Sequence, residues 1–161
     1  MRWLRRNPPS QNEALSELAE MLFGLPDDPP FGHEILEPSR LEYSLGSLSH
    51  LDEYIQTVGN RDQTVRDSAV IVMRAGAYLG EVIRKHSARR LDWLEFEAAV
   101  RLNPAIADIA GKSFSVAAVL WDGENGFWFP LRHVAKVLTS TADQGSEAYA
   151  RSLLATELGT G

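Results

Sequence analysis

The side chains that could perform chemistry are scattered along this sequence. Its histidines lack the i,i+3 or i,i+4 spacing that places two metal ligands on one helix face: His33, His50, His86 and His133. The chain contains no cysteine, which excludes a disulfide framework, a thiolate metal site and a cysteine nucleophile. It also lacks the nucleophile elbow of serine hydrolases and the glycine-rich loops that bind phosphate. The sequence therefore predicts no catalytic residue, no bound metal and no cofactor.

Glu81 is the carboxylate whose neighbours most resemble a site. The helical wheel places it on a polar strip that also carries Arg74. Arg84 and Lys85 follow it at i+3 and i+4, the spacings that favour surface ion pairs. One interpretation is therefore an exposed ion pair. The other is a ligand-binding carboxylate or a general base at the mouth of a pocket, with Glu81 and Arg74 as the anchors.

Aromatic residues are concentrated around a predicted β-hairpin. The turn at residues 122–126 contains both Asp-Gly and Asn-Gly, the dipeptides that favour tight hairpin turns. Strand alternation directs Trp128 and Phe127 to opposite faces, and Trp121 faces away from Leu120. Aromatic side chains therefore occur on both faces. One face is expected to pack on the core, and the other is either covered within the monomer or exposed as a binding surface.

Two neighbouring segments could complete such a surface. Residues 24–39 contain four prolines and form the longest irregular stretch, which could cover a site. The helix predicted to begin at Pro130 carries Arg132, His133 and Lys136, which would surround an aromatic patch with positive charge. The candidate binding residues are therefore Trp121, Phe127, Trp128, Arg132 and His133, together with Glu81 and Arg74.

The clearest predicted element is a long helix over residues 62–85. Apolar residues cover most of its circumference, a pattern typical of a buried helix. Gly76 and Gly80 lie four residues apart on it and leave a flat patch, although each glycine costs a helix about 1 kcal/mol relative to alanine. Close packing inside the domain would explain the patch, and so would a homodimer seam or a ligand contact.

The order of the predicted elements indicates the fold class. Helices come first, then strands, then helices, without the regular alternation of a doubly wound fold. We therefore expect an α+β fold in which a central buried helix and additional helices pack on a small, mostly antiparallel sheet. Residues 1–38 form an N-terminal helix and a proline-rich loop, and residues 39–161 form the α+β domain of one compact unit. The predicted helices and strands lie at residues 11–23, 40–44, 47–60, 62–85, 91–97, 114–121, 127–129, 130–138 and 144–157.

The overall charge narrows the class of partner. The net charge is −6 over 161 residues, which opposes binding to nucleic acid and to anionic membranes. A nucleic-acid surface would have to use the scattered arginines, which are Arg2, Arg5, Arg6, Arg89 and Arg90. The basic N-terminus is not followed by the apolar core of a secretory signal, and no apolar run is long enough to span a membrane. We expect a cytoplasmic protein.

Three segments carry a resemblance to known sequences. They read LEYSLGSL at residues 41–48, GAYLGEVI at residues 76–83, and FWFPL followed by VAKVL at residues 127–131 and 134–138. In these segments the chain resembles a group of small uncharacterised bacterial domains, over about residues 39–154. The resemblance implies a bacterial α+β protein, and some similar domains look like immunity or accessory proteins of bacterial competition systems. It implies no catalytic residue.

Two hypotheses of function follow. The first is a non-catalytic protein-interaction module, immunity-like or adaptor-like, that binds a protein partner through the aromatic hairpin and the adjoining loop. The alternative is a small-ligand-binding or enzyme domain with a pocket near Glu81 and Arg74. The sequence leaves open whether the protein is a monomer or a homodimer.

Overall fold

The structure is a computed structural model that describes residues 10–24, 27–110 and 114–158. In these ranges the helices are α1 Gln11–Glu20, α2 Ser47–Gly59, α3 Val65–His86, α4 Phe96–Leu102, α5 Ile106–Ala110, α6 Pro130–Leu138 and α7 Ser146–Leu158. The strands are β1 Asp92–Glu95, β2 Ala118–Trp121 and β3 Phe127–Trp128. They form an antiparallel sheet in the order β1-β2-β3, so the predicted α+β class is confirmed. None of the described helices is both long and apolar enough to cross a membrane.

Helix α3 is the centre of the molecule. It begins in a capping box, in which Thr64 and Asp67 each accept a hydrogen bond from the other's backbone N–H. Arg84, Lys85 and His86 occupy its last turn, where positive side chains stabilise the helix dipole. Helices α1 and α6 pack against it, and most of its second half is buried. The predicted central buried helix is therefore confirmed.

The two glycines of α3 permit close packing within the chain. A methyl group at Gly76 would lie 2.7 Å from the Cα atom of Leu131 on α6, and one at Gly80 would overlap the ring of Trp93 on β1. Both glycines are buried against these neighbours. The flat patch therefore serves internal packing, and it is not available as a seam between two copies.

The short sheet separates two apolar clusters. The register pairs Trp93 with Leu120 and Leu120 with Trp128, and these three side chains face the main core that contains α3. The opposite face carries Leu94, Val119 and Phe127, which pack with Ala99 of α4 and Ile106 of α5. Both faces of the sheet are therefore covered by helices of the same chain.

Helix α1 is part of the main core. Ser10 caps it by accepting a hydrogen bond from the backbone N–H of Glu13 at 3.2 Å. Leu15, Ala19 and Leu22 are buried in the same apolar cluster as the inner face of α3. Asn12 also closes the free edge of β1, since its side-chain oxygen accepts the backbone N–H of Trp93 at 2.7 Å.

Several predicted boundaries differ from the structure. The strand predicted at residues 40–44 is wrong, because the chain forms a 3₁₀ turn at Pro38–Arg40 and Tyr43 then adopts a left-handed backbone with φ 63°. The hydroxyl of Tyr78 holds that conformation by accepting the N–H of Tyr43 at 3.0 Å. Strand β2 is shorter than predicted because Phe114–Val116 is a 3₁₀ turn, and the predicted strand at residues 91–97 gives way to α4 at Phe96.

Candidate functional site

The aromatic hairpin has the predicted form, and its aromatic rings are half-buried. Its turn is fixed by Asp122, whose carboxylate accepts the N–H groups of Glu124 and Gly126 at 2.8 and 3.0 Å. Trp128 is half-buried against the main core, and Phe127 packs in the second cluster. Trp121 is half-buried, with its ring stacked on that of Phe127 at a centroid distance of 6.5 Å. Helices α4 and α5, rather than the proline-rich loop, cover the second face.

His133 is not part of a positively charged rim. Its side chain is buried, and its ring lies parallel to the ring of Tyr149 on α7 at a centroid distance of 4.1 Å. Burial, assisted by the charge of Lys136, lowers the pKa of His133 to about 4, so the imidazole is neutral at pH 7. This corrects the sequence-based placement, which assigned His133 with its half-buried neighbour Arg132 to the outer surface.

Arg74 is buried rather than placed on the polar strip, with a residue exposure of 4%. Its guanidinium donates hydrogen bonds to the backbone oxygen of Asp28 at 2.7 Å and to that of Met21 at 3.2 Å. It also pairs with the Asp28 carboxylate at 2.8 Å. Arg74 therefore fixes the segment that follows α1, and the sequence-based placement is corrected.

Glu81 belongs to a separate hydrogen-bonding network. It accepts from Arg84 at 2.9 Å and from the indole N–H of Trp93 at 3.0 Å. The predicted i,i+3 ion pair is thus present, and it is partly buried. Seven residues separate Glu81 from Arg74, which corresponds to about 10 Å along a helix. The structure gives the two side chains different partners and does not bring them together as the anchors of one pocket.

Arg89 and Arg90 line a shallow cavity together with Glu81, and each lies near a carboxylate. Arg89 lies 3.4 Å from Asp122, and Arg90 lies 3.2 Å from Asp92. Arg2, Arg5 and Arg6 lie outside the described residues. In the described ranges no three histidine, aspartate or glutamate side chains are grouped as they would be to hold a metal ion.

The best candidate for a functional site is a cleft that we call the acid-rimmed cleft. It lies between α1, α3 and the junction of β1 with α4, and its volume is about 550 Å³. Cavities of roughly 300 to 1,000 Å³ are the size that proteins use for ligands. The described residues that line it are Gln11, Ala14, Leu15, Leu18, Met73, Glu95, Phe96, Glu97, Ala117 and Ala118.

The floor of the acid-rimmed cleft is apolar. Leu18 of α1, Met73 of α3 and Phe96 of α4 line it, and each is only half-buried, so part of each side chain faces solvent. Half-exposed leucine, methionine and phenylalanine side chains from three elements form a surface that gains free energy when another apolar group covers it.

The rim of the cleft is acidic. Glu95 and Glu97 are exposed at its edge, and Glu95 accepts a hydrogen bond from the side chain of Gln11 at 2.9 Å. Among the described residues that line the cleft there is no lysine or arginine. Glu13, Glu17 and Glu20 of α1 are also exposed, but they do not line the cleft. Helix α1 itself carries no basic residue. Within the described part of the chain, the cleft therefore combines an apolar floor with acidic side chains and no basic residue in its lining.

Sequence reasoning missed this cleft because it placed Phe96 in a strand. The chain instead turns sharply after β1, so that Phe96 begins α4 and returns toward α1. The available signal was the pattern Glu95-Phe96-Glu97, in which two carboxylates flank an aromatic side chain.

Comparisons with known proteins add no relative. No protein-family model matches the chain, and no curated protein and no solved structure matches it.

Proposed function

We propose that this protein is a non-catalytic interaction module whose acid-rimmed cleft binds a basic, amphipathic segment of another protein. The observation that carries the proposal is the cleft itself, an apolar floor of Leu18, Met73 and Phe96 with glutamates and no described basic residue at its edge. An apolar ligand side chain would cover the floor, and lysine or arginine side chains would pair with Glu95 and Glu97.

The two parts of the cleft would have different tasks. Burial of apolar area supplies most of the affinity of such a contact, at roughly 25 cal/mol per Å² removed from water. The exposed carboxylates contribute less affinity each, since exposed ion pairs are worth up to about 1 kcal/mol. They select the sign of the partner and accelerate its approach, as the net charge of −6 also does.

The proposed binding surface is the cleft and not the aromatic hairpin. Trp121, Phe127 and Trp128 are each half-buried by residues of the same chain, and none of them lines the cleft. An immunity-like or adaptor-like role, as the resemblance to small bacterial domains implies, requires a binding surface and no catalytic group. The bacterial origin, the partner and the role stay part of this proposal.

A labelled synthetic peptide tests the charge preference. We would measure the fluorescence anisotropy of two labelled ten-residue peptides. In the first, apolar positions (leucine or tryptophan) alternate with pairs of lysines. The second carries glutamate in place of every lysine. The lysine peptide is expected to bind at least about tenfold more tightly, since about 1.4 kcal/mol corresponds to tenfold. Equal affinity for the two peptides would contradict the proposal.

Matched variants locate the binding site. Glu95→Gln with Glu97→Gln is expected to weaken binding of the lysine peptide about fivefold, as expected for the loss of two exposed ion pairs. The control is Glu124→Gln with Glu147→Gln, which removes the same charge outside the cleft and should leave the affinity within about twofold. If both pairs of substitutions weaken binding equally, the cleft is not the site.

A further inference from the structure

The N-terminal residues of the chain have the chemistry that the acid-rimmed cleft lacks. Residues 2–6 read Arg-Trp-Leu-Arg-Arg, so five positions hold three positive charges and two large apolar side chains. No acidic residue occurs before Glu13. This segment lies outside the described residues, and its composition is that of the basic, amphipathic ligand proposed above.

The chain enters α1 at the edge of the cleft. Ser10 is the N-cap of α1, and Gln11 is both the first residue of the helix and part of the cleft lining. The cleft extends along α1 from Gln11 to Leu18, which is about 10 Å at 1.5 Å per helical residue. An extended segment of five residues spans about 16 Å, so residues 2–6 are long enough to lie along it.

We propose that residues 2–6 bind in the acid-rimmed cleft of their own molecule and compete there with the partner. This inference rests on the proposed function of the cleft. Trp3 and Leu4 would contact the floor formed by Leu18, Met73 and Phe96. The arginines would face Glu95 and Glu97 at the rim, so that charge and polarity are matched along the cleft.

The short connection makes even a weak contact effective. Residues 7–9 read Asn-Pro-Pro, and a three-residue connection keeps residue 6 within about 13 Å of Ser10, at the edge of the cleft. A tail that occupies the cleft in about nine molecules of ten would raise the apparent dissociation constant of a partner about tenfold. The tail would therefore act as a built-in competitor that only a tighter ligand displaces.

Charge reversal of the tail tests the competition. The variant Arg2→Glu, Arg5→Glu, Arg6→Glu of the 161-residue chain is expected to bind the lysine peptide about three- to tenfold more tightly. A control with the same change in net charge is Arg66→Glu, Lys85→Glu, Arg151→Glu, all exposed and outside the cleft. Equal gains in the two variants would mean that net charge alone improves binding, and would overturn the inference.

A second readout requires no peptide. The chain has three methionines, and Met73 lies in the cleft floor while Met21 does not line it. The methyl resonance of Met73 is expected to shift between the natural tail and the charge-reversed tail, and to stay constant in the control variant. An unchanged Met73 resonance, with unchanged peptide affinity, overturns the inference.

The outcomes separate the two proposals. If the peptide binds and depends on Glu95 and Glu97, but the tail variant changes neither affinity nor the Met73 resonance, the cleft binds a partner and the tail does not compete. If Met73 responds to the tail but no variant binds the peptide, the tail occupies the cleft and the proposed partner function is wrong. If neither measurement responds, both proposals fail.

Discussion

The imidazole of His133 is buried between α6 and α7, with a residue exposure of 7%. Its Nε2 atom has no hydrogen-bond partner within the described part of the chain, and its ring stacks on Tyr149. Burial also raises the pKa of the Tyr149 hydroxyl to about 12, so both rings are neutral at pH 7. A protonated His133 would be a buried, unpaired cation next to Lys136, which is costly.

We therefore predict that His133 makes the protein labile to acid. The pKa of His133 is lowered to about 4 in the folded chain, against about 6.5 when unfolded, so the unfolded state binds the proton first. The stability is fully present above about pH 6.5 and is lost as the pH falls toward 4, by about 3 kcal/mol at most. Urea unfolding at pH 7.5, 5.5 and 4.5 measures this loss.

The variant His133→Phe isolates the contribution of this residue. Phenylalanine keeps a ring against Tyr149 and removes the titrating group. The free energy of unfolding of this variant is expected to fall less steeply than that of the natural protein between pH 6.5 and 4.5. An identical pH dependence in the two proteins would show that His133 is not the source of acid lability.

At the scale of the elements, the contact between α3 and α6 is set by Gly76. Its hypothetical Cβ atom meets the backbone and the side chain of Leu131, at 2.7 Å from Cα and 2.8 Å from Cγ. The backbone of α6 begins one residue earlier, at Pro130 in its first turn, so it has little freedom to move away. The distance between the two helix axes depends on the absence of this one methyl group.

Gly76→Ala is therefore expected to lower the free energy of unfolding. Overpacking a core typically costs about 1 to 3 kcal/mol, which exceeds the gain of about 1 kcal/mol in helix propensity. The control is Gly46→Ala, because the nearest atom to its added methyl group is the Ser44 Oγ at 3.9 Å and its φ is −63°. Chemical denaturation of both variants measures the difference, and a stabilised Gly76→Ala protein would contradict the assignment.

Some element boundaries are set by residues in the same turn, and other backbone conformations are set by residues that are distant in the sequence. The start of α6 at Pro130 matches the sequence-based boundary, because a proline at the first helical position acts within its own turn. The segment at residues 40–44 was predicted as a strand from the alternation of Leu41 and Tyr43. Its backbone is set instead by the Tyr78 hydroxyl, which lies 35 residues away in the chain.

At the scale of the whole molecule, the electrostatic field around the protein is negative. The net charge is −6, and Glu95 and Glu97 at the edge of the acid-rimmed cleft are part of it. A basic ligand would be attracted over distances comparable with the Debye length, which is about 10 Å at 0.1 M salt and about 3 Å at 1 M. The association rate constant would therefore depend on salt concentration more strongly than the dissociation rate constant does.

We predict that salt slows the binding of the lysine peptide. The association rate constant is expected to fall by about tenfold or more between 0.02 and 0.5 M sodium chloride, measured by stopped-flow fluorescence. The dissociation rate constant should change much less, because the apolar floor holds the bound peptide. A salt-dependent dissociation rate with a constant association rate would contradict this division between the rim and the floor.

The sequence by itself determined the fold class, the buried central helix, the hairpin turn and the helix that begins at Pro130. Each follows from a pattern that acts over a few residues: apolar periodicity, an Asp-Gly turn, a proline in the first turn. The α+β class agrees with those patterns, whereas the internal use of Gly76 and Gly80 was one of three explanations that the sequence left open.

Only the tertiary structure decided where the polar side chains and the cleft lie. Arg74 is buried because the loop after α1 packs over α3. The guanidinium of Arg74 donates hydrogen bonds to two carbonyl oxygens of that loop, those of Met21 and Asp28. His133 is buried because α7 packs its Tyr149 over α6. The acid-rimmed cleft combines residues from four separate segments, whose approach depends on packing between elements distant in sequence. Local patterns fix which face of a helix is apolar, but not which distant segment covers it and which part stays open.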